Sequence, residues 1–330
     1  NGIIFSQTAQ VNVGGLVAST LQLSEMDIAA GKFIFSGDIN STAMIENQGH
    51  INTSNGGTVA LIAPNIYNTG QIYTPDGITH LTAASQVTLA LQDGSLTQYQ
   101  VDQGVLQGLI ENGGAIIADN GAVYLTAKAK DDLSKAVINH SGVIEANRVS
   151  QNAQGEIVLL AQGASSTVNV SGVLTAEGKN NQDGGWIETS AAQVNLIDGL
   201  HVSTLSDDAQ NAQTGTWWID PYNVSIENTA QSNNINSVNI NSTFTPTQND
   251  SVINVSTLNT ALANNNITVT TSAAEGTQLG DIYVNAPITW DAATALTLTA
   301  DNNIHINADI TASNANGKLN LQYGQTTTNT

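Results

Sequence analysis

The feature that most constrains this chain is a strand pattern, Gly-x-φ-x-φ-x-Ala with φ mostly apolar, that keeps its register through rungs of different length. It reads Gly57, Val59, Leu61, Ala63; then Gly77, Thr79, Leu81, Ala83; then Gly121, Val123, Leu125, Ala127; then Gly155, Ile157, Leu159, Ala161. A weaker copy is Gly185, Ile187, Thr189, Ala191. The φ residues are two apart, so they share one face of an extended strand while the residues between them point the other way. Upstream stands a second short element, Gly-x-Ile or Gly-x-Leu, at Gly49/Ile51, Gly70/Ile72, Gly114/Ile116, Gly142/Ile144 and Gly172/Leu174. The pair recurs at irregular intervals of roughly 20 to 30 residues, the range that marks stacked repeats.

A third apolar run completes several coils, as in Val87–Leu91, Val168–Val170, Val194–Leu196 and Val224–Ile226. Three short strands per coil, separated by Asn, Gly, Asp and Ser turns, predict a triangular prism of parallel strands. An isolated coil cannot bury its inward row, so stability must come from stacking. Some twelve coils, with strands about 4.8 Å apart, would form a rod on the order of 60 Å long. A β-sandwich or propeller is the competing architecture, since both also use many short strands with polar turns. Antiparallel hairpins, however, would pair unlike strands across tight turns, whereas here like strands recur at coil spacing. Asn1–Phe5 reads as a strand already under way, so no N-terminal cap is recognisable and the start looks truncated.

Charge narrows the function. Only 10% of the 330 residues are charged and the formal net charge is -20. Lysine and arginine together number seven, and Arg148 is the sole arginine. Nucleic-acid recognition depends on cations meeting phosphates, so that partner class is excluded, and anionic membrane surfaces are disfavoured for the same reason. No apolar run reaches the roughly 18 to 20 residues needed to span a bilayer, so stable membrane insertion is not expected. There is no basic-then-apolar leader at Asn1, so an export signal would lie outside these residues. Cysteine is absent, which rules out disulfides and thiolate metal sites.

Residues 1–226 form the more regular part, with the least regular stretch between Asp93 and Gly108, where Val101–Leu106 predicts an extra strand on an insertion. Asn228–Asp250 is rich in Asn, Ser and Thr and reads as a surface excursion. Ser256 is placed to cap a short helix ending at Asn264–Asn266, and strands resume at Ile267. The expected divisions are therefore 1–226, an excursion with a short helix at 227–266, and continuing coils at 267–330.

Several segments carry a family resemblance. Asn1–Phe5 continuing to Val11-Asn12-Val13-Gly14-Gly15-Leu16-Val17-Ala18-Ser19-Thr20-Leu21 resembles the second half of the haemagglutination-activity, or TPS, domain of two-partner secretion (TpsA) exoproteins. In that family an Asn-Pro-Asn-Gly-Ile motif precedes a Val-Asn-Val-Gly-Gly-Leu segment; this chain starts inside that motif, and the upstream half is missing. The Asn-x-Gly-x-Ile coils and Gly57–Ala63 fit the same family. Gly215–Val224 resembles the segment that follows the domain in exoproteins of the filamentous haemagglutinin, high-molecular-weight adhesin and haem-hemopexin utilisation types. The resemblance implies a right-handed parallel β-helix, exported through the Sec system and then by an outer-membrane TpsB transporter of the Omp85 type. It further implies a protein that reaches the outside or the cell surface through the periplasm and serves as secretion domain and stem of an adhesin. A haem-acquisition exoprotein that binds a host haem carrier, or a cytolytic or contact-dependent toxin stem, shares the same domain.

β-Helical lyases combine an acidic calcium cluster with a Lys or Arg base, and no such constellation surrounds Arg148 or the lysines; Asp131-Asp132 and Asp207-Asp208 lie in turn-like segments, where solvated turns explain them better than paired catalytic acids. No enzyme activity and no cofactor are expected. Gly172–Lys179 fails the phosphate-loop spacing. His50, His80, His140, His201 and His305 are scattered and read as exposed turn or strand residues. Several Asn-x-Ser/Thr tripeptides, including those at Asn223, Asn241 and Asn254, are common by chance in so Asn-rich a chain. The aromatic residues say more. In the coil register Trp186 and Trp218 point outward and Trp217 inward, so two outward indoles on neighbouring coils would form a stacking platform for a sugar ring or a partner protein, such as a host surface glycan or protein. Cover by the loops at 179–184 and 207–214 is the plainer alternative.

Overall fold

The computed structural model describes residues 2–27, 31–92, 95–229, 251–272 and 278–324. The chain winds as a right-handed parallel β-helix whose three faces are parallel sheets. One face has seven strands, from Gly2–Phe5 to Gln193–Leu196, and a second has seven, from Gln10–Val13 to His201–Ser203. The third, which carries the Gly-x-φ-x-φ-x-Ala repeat, has ten, from Leu16–Ser19 to Lys318–Gln322. Among the described residues this longest single ladder has ten rungs, and nine spacings of about 4.8 Å make it roughly 43 Å long.

The repeat keeps its register because its inward residues stack on their own kind. Leu81 lies opposite Leu61 and Leu125, Leu125 opposite Leu159, and Leu159 opposite Thr189. On the second face Ile51, Ile72, Ile116, Ile144 and Leu174 align in the same way. All of these side chains are fully buried. Burying each aliphatic side chain is worth roughly 1.5–3 kcal/mol, but only once the neighbouring coils close over it. The glycine before each Ile or Leu is set by space: a Cβ on Gly114 would run into the carbonyl oxygen of Gly70 on the coil below, and one on Gly142 into that of Gly114.

The Asn of the Asn-x-Gly-x-Ile coils lies inside the prism. Asn47 Nδ2 donates to Asn68 Oδ1 (2.8 Å), and Asn68 Nδ2 to Asn112 Oδ1 (2.7 Å). Asn112 Nδ2 then donates to His140 Nδ1 (3.1 Å), which leaves His140 Nε2 to donate to the carbonyl of Val173 (3.1 Å). All four side chains are buried, and the row satisfies amides that would otherwise cost several kcal/mol each in an apolar core. Burial pushes the His140 imidazole down to about 4, so it sits there neutral.

Three expectations are corrected. Val87–Leu91 is not the third strand of a coil. It lies in Gln86–Gln92, which pairs antiparallel with Ser95–Gln103 and with Lys32–Ser36, in a four-stranded sheet that also takes Gln22–Asp27. The extra strand expected at Val101–Leu106 belongs to this sheet but runs earlier, over Ser95–Gln103. Val87 and Leu89, with Phe33, Phe35 and Tyr99, cover the outward side chains Ala60 and Ile62 of the third face. The alternation that makes a half-buried coil strand makes a half-buried covering strand equally well, so periodicity does not separate them. Finally, the helix Val255–Leu262 is capped by Asn254, not Ser256: Asn254 Oδ1 accepts both Ser256 N and Ser256 Oγ at 3.0 Å.

The helix stands in for a strand. It packs against His201–Ser203 on one side and Ile288–Trp290 on the other, so it occupies the second face where a rung would be. Its buried residues Val255, Leu258, Ala261 and Leu262 join one continuous core that runs from Ala18 to Ala300. The preceding strand Ser251–Asn254 pairs with Val224–Glu227 and lies beside Gln193–Leu196, where Ser251 Oγ accepts Val194 N (2.9 Å). The excursion expected at Asn228–Asp250 lies outside the described residues from 230 onward.

Candidate functional site

Trp186–Ser190 and Thr216–Asp220 are neighbouring rungs of the ten-stranded face, paired Trp186 to Thr216, Glu188 to Trp218 and Ser190 to Asp220. Alternation sends Trp217 into the core, where it is fully buried, and leaves Trp186 and Trp218 outward and half-buried. The directions expected from the register are those observed. The two indoles meet with ring centroids 5.2 Å apart and planes tilted by 46°. The loops at 179–184 and 207–214 are stitched to each other, with Gly184 N donating to Gln213 O (2.8 Å) and Gln213 N to Asp183 Oδ1 (2.7 Å), and both indoles keep part of their surface open beside them.

The same alternation places carboxylates among the indoles. Glu156, Glu188 and Asp220 all face outward on this sheet. Glu188 accepts a hydrogen bond from Ser190 Oγ (2.7 Å), and Asp220 a longer one from Ser272 Oγ (3.3 Å). Burial, with the Glu188 charge adding to it, pushes the Asp220 carboxyl up to about 6. Glu156 accepts from Tyr124 Oη (2.7 Å), whose phenol is pushed up by burial and by this carboxylate. No lysine or arginine occurs on the strands Glu156–Gln162, Trp186–Ser190, Thr216–Asp220 or Asn266–Thr270. The two acids beside the indoles, Glu188 and Asp220, were legible at i+2 from Trp186 and Trp218 and were not read.

The histidines divide. His80 and His140 are buried, against the expectation of exposed positions. His80 is sandwiched between Tyr99 (centroids 3.9 Å) and Tyr124 (5.0 Å), and burial pushes it down to about 3. This stack was invisible in sequence because Tyr99 comes from the covering sheet. His50 is half-buried against Gln71, while His201 and His305 are exposed. Among the described residues no three His, Asp or Glu side chains come together as a metal site. Asp131 organises its own turn by accepting Leu133 N and Ser134 Oγ, and Asp207 accepts Asn180 N and Asn181 N from the adjacent loop. A cavity of about 560 Å³ lies between the helix and the loop before His201, walled by Leu200, His201, Asn228, Ser256, Thr260 and Asn264.

Comparison with known proteins agrees with this geometry. Residues 1–176 match the TPS secretion domain family. The chain is 31% identical over 169 residues to the heme/hemopexin-binding protein of Haemophilus influenzae (strain ATCC 51907 / DSM 11121 / KW20 / Rd). That match takes in 49% of this chain but 18% of the relative, so the chain spans less than a fifth of that protein. The crystal structure of the HMW1 secretion domain from Haemophilus influenzae superposes with a TM-score of 0.59 at 18% identity, covering 97% of this chain and 78% of that one. With the family matched over more than half its length and the same β-helix along nearly all of it, the chain belongs to the TPS secretion domains of two-partner secretion exoproteins, which leave the cell through TpsB transporters.

Proposed function

We propose that this region is the secretion domain and β-helical stem of a bacterial surface adhesin, exported by a partner transporter of the Omp85 type. The observation that supports it most directly is the stack of parallel coils over the residues that match the family, continued without a break in the core through Ala300. A stack in which each coil templates the next suits a chain that leaves a narrow channel unfolded and needs no external energy source once outside. In this reading the rod itself is non-catalytic and carries no cofactor, and cell-surface display follows from the rod's remaining attached to its transporter. The test is to delete the partner transporter and follow the parent protein. Accumulation in the periplasm with loss from the surface and the medium is expected. Equal display with and without the transporter overturns the reading.

A second reading, a haem-acquisition exoprotein, is favoured by the likeness to the heme/hemopexin-binding protein of Haemophilus influenzae. The matched stretch is a small part of that protein, so the two readings part company in what lies elsewhere in the parent. Growth of a deletion strain on haem–hemopexin as sole iron source separates them.

A further inference from the structure

We infer that the outer face carried by Trp186–Ser190 and Thr216–Asp220 is a docking surface for a lysine- or arginine-bearing segment of a partner protein. The inference stands whether the parent is an adhesin or a haem-acquisition protein, because it rests on this face alone. The antiparallel sheet covers the outward residues Ala60 and Ile62, and its Tyr99 closes over His80. Farther along the same face two tryptophans stay partly open. An outward indole pair is costly to leave wet, and nothing in its register requires it, since the equivalent outward positions on the next coil, Asn266 and Thr268, are polar.

The chemistry around the indoles selects the occupant. Glu188 lies directly across from Trp218 and two residues from Trp186, and Asp220 lies two residues beyond Trp218. Each of these carboxylates is met by a serine hydroxyl and, among the described residues, by no cation. A guanidinium or ammonium laid on an indole, within about 6 Å of the ring centroid, gains from the ring's negative face, and from here it also reaches a carboxylate. A neutral sugar would gain the stacking and leave the charges uncompensated. Burial first, and then the Glu188 charge, raise the Asp220 carboxyl, and a cation held beside it would work in the opposite direction. Residues two apart along a strand are spaced about 6.6 Å, and rungs about 4.8 Å, so side chains of one extended segment can address both indoles.

The test titrates the purified protein with a short arginine homopeptide, a glycine-serine peptide of equal length and a neutral oligosaccharide, read by tryptophan fluorescence and calorimetry at low and high salt. Variants Glu188→Gln, Trp186→Ala and Trp218→Ala are compared with Asp131→Asn, an acid in a distant turn. The expected result is salt-sensitive binding of the arginine peptide that Glu188→Gln and Trp218→Ala each weaken about tenfold, with Asp131→Asn unchanged. Glu188→Gln changes no volume and keeps the acceptor for Ser190, so it reads binding and not folding. Absence of peptide binding overturns the inference, and so does equal weakening by Asp131→Asn, which shows only general attraction to an acidic protein. Binding of the neutral oligosaccharide that depends on Trp218 but ignores Glu188→Gln also overturns it and makes the face a sugar platform.

Discussion

Trp217 Nε1 donates a 3.2 Å hydrogen bond to Thr189 Oγ1 within the core, one rung below and two residues along the strand from its partner Ile187. The fifth copy of the repeat has Thr189 where other copies have Leu because the next rung buries an indole whose N–H needs an acceptor. A flaw in the repeat and an oversized neighbour are thus one feature. Thr189→Val keeps the shape and removes the acceptor, so it should cost about 1–3 kcal/mol in urea unfolding. The same substitution in a Trp217→Phe background should cost clearly less; equal losses would show that the bond contributes nothing.

Leu125 sits in the stacked row between Leu81 and Leu159 and is fully buried. Leu125→Asp places a carboxylate without a partner against two neighbouring coils at once. Destabilisation above about 4 kcal/mol is expected. Circular dichroism during thermal melting checks it, and an unchanged midpoint would remove Leu125 from the core.

His140 makes the rod sensitive to acid in a definite direction. Its ordinary value is 6.5 and the folded value about 4, so the unfolded chain takes up a proton that the native core refuses. The contribution is complete above pH 6.5 and is lost as pH falls toward about 4, roughly 3 kcal/mol in all. His80, held down to about 3 in its tyrosine sandwich, acts in the same sense. His140→Asn extends the amide row by one member and should flatten this part of the stability–pH curve. An unaltered slope between pH 7 and pH 4 would show that His140 protonates without unfolding anything.

Gly114→Ala should destabilise severely although alanine is small and apolar. The added methyl meets the carbonyl oxygen of Gly70, and the two backbones must part. The hydrogen bond from Ala115 N to Gly70 O (3.0 Å) is the first to go, and amide exchange at Ala115 and Val143 reports it. Protection unchanged from the parent would mean that the coils accommodate the methyl.

How much of this was legible in sequence depends on how local the signal is. The inward rows were readable because each strand states its own register, and Trp186, Trp217 and Trp218 fell on the expected sides for that reason. The buried amide row was half readable: Asn47, Asn68 and Asn112 recur at one position, but only stacking tells that they face inward, and His140 joins them only because it occupies the same position before Gly142. Val87–Leu91 went astray because its partners Lys32–Ser36 are some fifty residues earlier, and no periodicity reports a long-range antiparallel pairing. Asp220 carries no local signal of its environment, because its burial is set by the rungs on either side.

The strand Ser251–Asn254 has a consequence for the order of events. Up to His201–Ser203 each new rung can be laid on the last as residues arrive, like courses of brick. Val224–Glu227 arrives before the rung that separates it from Gln193–Leu196, and that rung comes 24 residues later with the helix behind it. Simple end-to-end growth must therefore pause until Ser251–Asn254 has arrived, and bringing strands so far apart in sequence together has an entropic cost that rises only slowly with their separation. A chain issuing N-terminus first from a channel would hold at this point with the rungs through Thr216–Asp220 laid down and Val224–Glu227 still waiting for the rung beneath it. The place where the fold departs from repetition is thus also a natural punctuation mark in its emergence.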